Sequence, residues 1–171
     1  MITVLTGPVG SGKTSFLERS LADIFARRPG LDGYLSLRVP DGGETAGYDL
    51  LDVRTRARTP FLRRRGEPSW QKVGPFSLLP EGLGAAEALI RRGRPGEGLI
   101  VDEIGPLELA GGGVWPAFTE ALSSGDRPAI AVVRELLLAD FLAKVPGREA
   151  RVIRLAEAAA GRSLVEGAGE P

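Results

Sequence analysis

A glycine-rich segment near the N-terminus, GPVGSGKT, constrains the fold of this chain more than any other feature. It spans Gly7 to Thr14 and matches GxxxxGK[ST], the pattern of a phosphate-binding loop. The residues before it, ITVLT, predict a short apolar strand, and the residues after it predict a helix that ends at Pro29-Gly30. Strand, loop and helix in this order form the context that a phosphate loop requires, so the segment predicts nucleotide or phosphate binding.

The chemistry of the loop follows from its residue types. Its glycines allow consecutive N–H groups to turn toward an anion, and the following helix adds the positive end of its dipole. Lys13 is expected to reach the β- and γ-phosphates, as a binding and a catalytic residue, and the Thr14 hydroxyl is expected to ligate Mg²⁺. The predicted nucleotide-binding residues of the loop are Gly7, Pro8, Val9, Gly10, Ser11, Gly12, Lys13, Thr14 and Ser15.

The composition narrows the class of protein. Basic and acidic residues number 22 each, so no net charge draws the chain toward nucleic acid or a membrane. There is no run of 18 apolar residues and no room for a signal peptide before the first strand, which predicts a cytoplasmic protein. Cysteine and histidine are both absent, which excludes disulfides, thiol catalysis and imidazole bases. Any proton acceptor at the site must therefore be a carboxylate or the substrate itself.

Segments of strand character alternate with segments of helical character along most of the chain. This alternation predicts a single α/β domain over residues 1–165, with a mostly parallel sheet covered by helices on both faces. From about Gly33 to Val73, short strand candidates between glycine and proline turns predict a β-rich hairpin section. RELLLADFLAKV, which begins at Arg134, predicts a helix after the buried strand PAIAVV. Residues 166–171 are expected to be a frayed tail.

Two acidic residues, Asp102 and Glu103, end the apolar strand that begins at Leu99. Ligands of open α/β sheets bind at the carboxyl ends of the strands, so both acids are predicted to contact the nucleotide. Asp102 is placed in the Mg²⁺ shell opposite Thr14, and Glu103 is placed as the catalytic group that orients and deprotonates a water near the γ-phosphate. The alternative is an acid pair that only caps the next turn.

Arginines concentrate between Arg54 and Arg65. In RTRAR, alternate arginines are predicted to share one face of a strand, and we interpret this face as solvated. A nucleic-acid patch or a contact to the γ-phosphate remains open, so a nucleic-acid partner is not expected but not excluded. Phe76 is expected to be a core or hinge aromatic residue rather than one that stacks on a base.

With these residues in place, the chain resembles a family of small nucleoside triphosphatases first described in thermophiles, whose animal members are called cancer-related nucleoside triphosphatases. The matching segments are TGPVGSGKT, GYLSLRV, GYDLLDV, VGPF and above all VDEIGPLEL. They cover residues 1 to about 110. The chain departs from the family at Pro106-Leu107, where lysine and methionine are frequent.

The resemblance implies a RecA-like P-loop fold, with an extra strand between the loop strand and the acidic strand. It also implies Mg²⁺-dependent hydrolysis of several nucleoside triphosphates to the diphosphate. If the roles of the family's site residues are transferred to the matching positions of this chain, the loop binds phosphates, Asp102 assists Mg²⁺ binding and Glu103 activates water. Arg38 matches an arginine of the family and has no assigned role.

The predicted function is therefore hydrolysis of ATP, GTP and other nucleoside triphosphates with broad base specificity. A nucleotide or small-molecule kinase that uses the same loop is one alternative. A nucleotide-dependent nucleic-acid or assembly accessory protein is another. A GTP switch is not favoured, because none of the lysines lies in the lysine–x–aspartate context that reads guanine. No protein partner can be inferred.

Overall fold

The computed structural model describes residues 1–124, 127–145 and 149–165. Within them the chain forms a nine-stranded sheet with helices on both faces. In chain order the strands are β1 (Ile2–Gly7), β2 (Leu31–Asp41), β3 (Glu44–Asp52), β4 (Arg58–Arg63), β5 (Lys72–Val73), β6 (Phe76–Leu78), β7 (Gly98–Ile104), β8 (Ala129–Arg134) and β9 (Ala150–Arg154). The helices are α1 (Lys13–Arg27), α2 (Pro80–Arg92), α3 (Pro106–Leu109), α4 (Trp115–Ser123), α5 (Leu138–Lys144) and α6 (Leu155–Ala159).

One half of the sheet is parallel, in the order β2-β7-β8-β1-β9. Successive residues of β7 pack into different cores. Leu99 and Val101 join a cluster with α2 and α4, whereas Ile100 joins a cluster with α1 and α6. Burial on both faces is what helix-covered parallel strands require, and it explains their continuous apolar runs. β8 lies between the loop strand β1 and the acidic strand β7, so the predicted fold is confirmed.

The other half of the sheet is antiparallel and confirms the predicted β-rich hairpin section. β2 and β3 form a long hairpin whose turn contains Gly42 and Gly43, both at positive φ. The pairing of β2 with β7 ends at Tyr34, so the rest of β2 projects beyond the carboxyl end of β7. Gly33 makes the close approach of β2 to β7 possible. It has a φ of +109°, and a Cβ there would lie 2.0 Å from the Ile100 carbonyl oxygen.

Helix α1 begins at Lys13 and ends before Pro29-Gly30, as its pattern predicts, and buries Leu17, Leu21 and Ile24. These residues recur every three or four positions, so they form one stripe against the sheet. α2 has Pro80 in its first turn and ends before Gly93. Proline is well tolerated at this position because the first helical N–H groups have no partner within the helix.

Two local predictions are wrong. In RTRAR, residues 54 and 55 lie in a turn and residues 56 and 57 belong to no strand, whereas Arg58 begins β4. The Asp52 carboxylate accepts the Arg54 N–H at 2.9 Å and the Thr55 hydroxyl at 2.7 Å, and this local bonding folds the chain back on itself. Arg134 belongs to β8 and not to a helix, because the parallel pairing extends to Gly7 and Arg134. A 3-10 turn, Glu135–Leu137, separates it from α5.

Residues 166–171, predicted to be a frayed tail, lie outside the described residues. The single domain over 1–165 stays a prediction. None of the helices in the described ranges is long and apolar enough to cross a membrane.

Candidate functional site

Residues 8–12 of the phosphate loop connect β1 to α1, and all five are exposed. Gly10 and Gly12 have φ values of +72° and +93°, which favour glycine. Gly12 is the N-cap of α1, and no side chain caps this helix end. The first N–H groups of α1 are thus left to bind an anion, in agreement with the loop pattern.

Lys13 lies against the backbone of the loop. Its side chain is buried, and Nζ donates to the Gly7 and Pro8 carbonyl oxygens at 3.1 and 2.9 Å. These contacts use two of the three hydrogen bonds that an ammonium group can donate. They hold the positive charge at the loop, where a bound phosphate would meet it.

Asp102 is completely buried near the first turn of α1. One carboxylate oxygen, Oδ2, accepts the Ser36 N–H at 3.2 Å, while Oδ1 has no hydrogen-bond partner within the part of the chain that is described. Burial raises the pKa of Asp102 to about 7, and the Thr14 hydroxyl and the Ser36 N–H act in the opposite direction. A buried carboxylate oxygen that has no hydrogen-bond partner lowers the stability of the fold unless a cation or a proton binds to it.

This environment fits a divalent cation. Across residues 1–124, 127–145 and 149–165, no group of three or more carboxylate, histidine or cysteine side chains could hold a metal alone. Mg²⁺ in nucleotide sites usually needs no such cage, since it is held by one or two protein ligands together with phosphates and waters. Asp102 Oδ1 and the Thr14 hydroxyl are the groups that would hold it here.

Glu103 follows Asp102 at the carboxyl end of β7, where the pairing with β8 is interrupted between Val101 and Ile104. Its Oε1 accepts a hydrogen bond from Arg134 Nε, which makes an ion pair between the two strand ends. Arg134 stands beside Gly7 in the parallel ladder, at the start of the phosphate loop. Glu103 is therefore beside the loop, and an arginine already holds its carboxylate.

Sequence reasoning missed Arg134 as a site residue because its segment was assigned to a helix. A usable signal was present. Arg134 follows the buried strand PAIAVV in the same way that Asp102 and Glu103 follow an apolar run. The carboxyl ends of parallel strands meet at one edge, so charged residues there belong to one site.

Arg38 lies on the projecting part of β2. It is exposed, and its guanidinium donates to the Gly43 carbonyl oxygen at 3.2 Å in the hairpin turn. It stands two residues beyond Ser36, whose N–H contacts Asp102. Side chains two apart share a strand face, so Arg38 is on the same face as Ser36 and one step farther out.

The arginines between positions 54 and 65 do not form one surface. Arg54 donates to the Leu31 carbonyl oxygen and pairs with Asp32 and Glu97, at the amino ends of the parallel strands. That end is opposite the phosphate loop, so a contact of Arg54 with the γ-phosphate of the same molecule is ruled out. Arg63 and Arg64 lie at the other end of the antiparallel half.

Phe76 is buried, as expected for a core aromatic. Its ring meets Tyr48 edge-on, with centroids 5.4 Å apart, and the Arg64 guanidinium lies 5.6 Å from the ring centroid. Both contacts use the ring for packing in the antiparallel half. The interpretation of Phe76 as a core residue is confirmed.

The sequence profile of a family described as NTPase matches residues 2–161. A nucleoside-triphosphatase THEP1 of Thermofilum pendens is 31% identical over 134 residues, which is 77% of this chain and 72% of that protein. A cancer-related nucleoside-triphosphatase homolog of Bos taurus is 30% identical over 115 residues, or 61% of this chain and 60% of that protein.

Two solved structures have a similar fold. The solution structure of a human cancer-related nucleoside triphosphatase aligns with a TM-score of 0.68 at 22% identity, covering 89% of this chain and 87% of that one. The crystal structure of THEP1 from Aquifex aeolicus aligns with a TM-score of 0.59 at 18% identity, covering 91% and 90%. At these identities the likeness concerns the fold alone.

Proposed function

Because this chain belongs to the NTPase family, we propose that it hydrolyses nucleoside triphosphates to the diphosphate and phosphate with the help of Mg²⁺. The observation that carries this proposal is the meeting of four side chains at one edge of the sheet. Lys13 and Thr14 come from the phosphate loop, and Asp102 and Glu103 come from the end of β7. A protein that only binds nucleotide has no need of Glu103 beside the loop.

In this proposal the loop binds the β-phosphate through its N–H groups, and Lys13 bonds to the β- and γ-phosphates. The Lys13 ammonium now bonds to two loop carbonyls and can exchange them for phosphate oxygens of opposite charge. Asp102 and Thr14 would hold the Mg²⁺ ion, which when bound would neutralise part of the charge on the phosphates.

Glu103 is the proposed proton acceptor. A water oxygen forms the new bond to the γ-phosphorus, the bond from that phosphorus to the β–γ bridging oxygen breaks, and the water proton passes to the Glu103 carboxylate. The nucleoside diphosphate leaves with the bridging oxygen. With no histidine or cysteine in the sequence, a carboxylate is the group available for this step.

Arg134 has two proposed roles. Its ion pair fixes the Glu103 carboxylate at the edge of the loop. Its remaining N–H groups can donate to the γ-phosphate oxygens, because Arg134 is the neighbour of Gly7 in the parallel ladder. Arginine bonds several oxygens at once and stays charged, so it can serve both partners during phosphoryl transfer.

Broad base specificity is part of the same proposal. Each group named above contacts phosphate, metal or water, and none of them can distinguish adenine from guanine. The affinity then comes mainly from the triphosphate and its metal. We expect catalytic efficiencies for ATP, GTP, CTP and UTP within about tenfold, or roughly 1.4 kcal/mol.

The decisive experiment pairs single-turnover hydrolysis with a binding titration of Mg²⁺–ATP, without any phosphate acceptor. Glu103→Gln keeps the shape of the side chain and removes the proton acceptor. It should bind ATP about as well as the parent and hydrolyse it at least ~100-fold more slowly. Glu120→Gln, a change of an exposed glutamate on α4, is the matched control and should behave as the parent.

Two results would contradict the proposal. Normal turnover of Glu103→Gln would show that another group organises the water. A parent protein that binds ATP but releases phosphate only when an acceptor is added would be a kinase.

A further inference from the structure

A groove lies between α1 and the chain segment that follows α6. One wall carries Phe16 and Ser20 of α1, and the other carries Ala158, Gly161 and Arg162. Its volume is about 240 Å³, less than the ~300–1,000 Å³ of typical sites for drug-sized ligands. The groove therefore suits a part of a nucleotide and not a whole one.

Both walls of the groove begin at the phosphate loop. Phe16 follows Thr14 by two residues in the first turn of α1. Leu155, the first residue of α6, has its Cβ only 3.5 Å from the place where a Cβ on Gly7 would lie. Phe16 and Leu155 also pack against the same core cluster. The loop end of the groove is thus next to the site of the phosphates.

The strand order sets the direction in which a bound nucleotide extends, and this step rests on the proposed function. Glu103 and Asp102 stand on β7, which lies on one side of the loop strand, beyond β8. The γ-phosphate must point toward these carboxylates. The α-phosphate, ribose and base then leave the loop on the other side, where β9 and α6 lie.

We infer that this groove holds the nucleoside part of the substrate, with the Phe16 ring against the face of the base. The ring is half-buried and lines the groove at its loop end. Stacking on an aromatic ring binds every base, because each base has a π-face. The Arg162 guanidinium, which bonds to Glu157 Oε2 at 2.5 Å, offers a second flat group on the opposite wall.

Three of the polar side chains that line the groove are poorly placed to read a base edge. Ser163 Oγ already donates to the Val165 carbonyl oxygen at 2.5 Å and accepts the Val165 N–H at 3.3 Å. Asp23 and Arg27 follow Phe16 by seven and eleven residues, which places them roughly 10 and 16 Å farther along the helix. The nucleoside is therefore held by its face, and the groove accepts purines and pyrimidines alike.

The test compares two ligands that share the phosphate chain, ATP and inorganic tripolyphosphate, both titrated with Mg²⁺ present. Phe16→Ala should weaken ATP binding about tenfold, or ~1.4 kcal/mol, and leave tripolyphosphate binding within twofold. The matched control is Phe25→Ala. Phe25 is also half-buried against the same cluster, but it lies nine residues farther along α1, which puts it on the opposite side of the helix.

The subsite is supported if Phe16→Ala loses affinity for ATP and the control Phe25→Ala does not. Equal affinities for ATP in Phe16→Ala and the parent would overturn it. So would an equal loss for ATP and tripolyphosphate, because the ring would then support the loop and not the base. If the parent binds tripolyphosphate as tightly as ATP, the nucleoside has no subsite and the inference fails while the proposed function stands. If the parent binds neither ligand, both fail together.

Discussion

Replacing Arg134 tests the ion pair that links the ends of β7 and β8. Arg134→Gln removes the charge and keeps much of the length of the side chain. The structure predicts a small effect on folding, because the two side chains are 42% and 26% exposed. Ion pairs this accessible contribute about 0–1 kcal/mol to stability. A loss of that size lowers the melting temperature of a domain of this length by roughly 2–4 °C at most.

The expected effect on hydrolysis is much larger. An arginine that stabilises the charge of phosphoryl transfer is worth about 10³–10⁵-fold in rate. Arg134 shares its charge with Glu103 and is partly accessible to solvent, so we expect a smaller loss, about 10²–10³-fold in the single-turnover rate, or ~2.7–4 kcal/mol. Arg134→Lys keeps the charge but not the planar set of donors and should recover only part of this loss.

The assay combines single-turnover hydrolysis, thermal unfolding and calorimetric affinities for ATP and ADP. Loss of a γ-phosphate contact lowers the ratio of ATP to ADP affinity, whereas a purely structural role would change both affinities and the melting temperature together. Arg91→Gln is the control, since Arg91 is 44% exposed and pairs with Glu87 of its own helix, α2, and with Glu120 of α4. A normal rate in Arg134→Gln, or a rate loss matched by a comparable loss of stability, would refute the assignment.

Two further predictions concern the loop and the opposite end of the sheet. Lys13→Ala should remove most of the affinity for ATP, and calorimetry showing unchanged affinity would contradict the role of the loop lysine. Arg92→Gln should lower the free energy of unfolding by about 2–3 kcal/mol at pH 7 without changing turnover. Arg92 forms ion pairs with Asp32 and Asp52 at 2.5 and 2.8 Å. Removal of one partner from a largely buried ion pair costs ~3–5 kcal/mol of stability. The cost is smaller here because Arg92 is partly exposed. Arg92 holds the pKa of Asp52 well below its usual range, so this stabilisation is complete above the unfolded pKa of about 4 and is lost as the pH falls below it. Denaturant unfolding at pH 7 and pH 3 should therefore show a smaller difference between parent and variant at pH 3, and a constant difference would contradict the charge argument.

Sequence patterns that involve only neighbouring residues were enough to predict much of the site. The glycines of the loop, the helix after it and the apolar run before Asp102 each depend on neighbours within a few residues. Backbone angles, caps and strand burial are decided at that range, so the pattern predicted the strand, loop and helix where the structure has them. The roles of Asp102 and Glu103 remain proposals, but their shared location at a strand end was predictable.

The same kind of pattern gave wrong predictions where the residues that contact each other lie far apart in the sequence. RTRAR alternates like a strand, yet Asp52 bonds to the following residues and folds the segment into a turn. Arg54 then meets Asp32 and Glu97, which are 22 and 43 positions away in the sequence. No periodicity records such a pairing, because it depends on how β2 pairs with β3 and with β7 in the sheet.

The sequence by itself determined that the chain has a phosphate loop, an acidic strand end and no histidine or cysteine for catalysis. Only the tertiary structure decided which other side chains share that edge. Arg134 reaches Glu103 because β8 inserts between β1 and β7. Phe16 lines a groove because the chain segment that follows α6 lies along α1. Strand order and helix packing arise from burial of apolar surface shared by the whole chain, and that collective free energy cannot be read from any one segment.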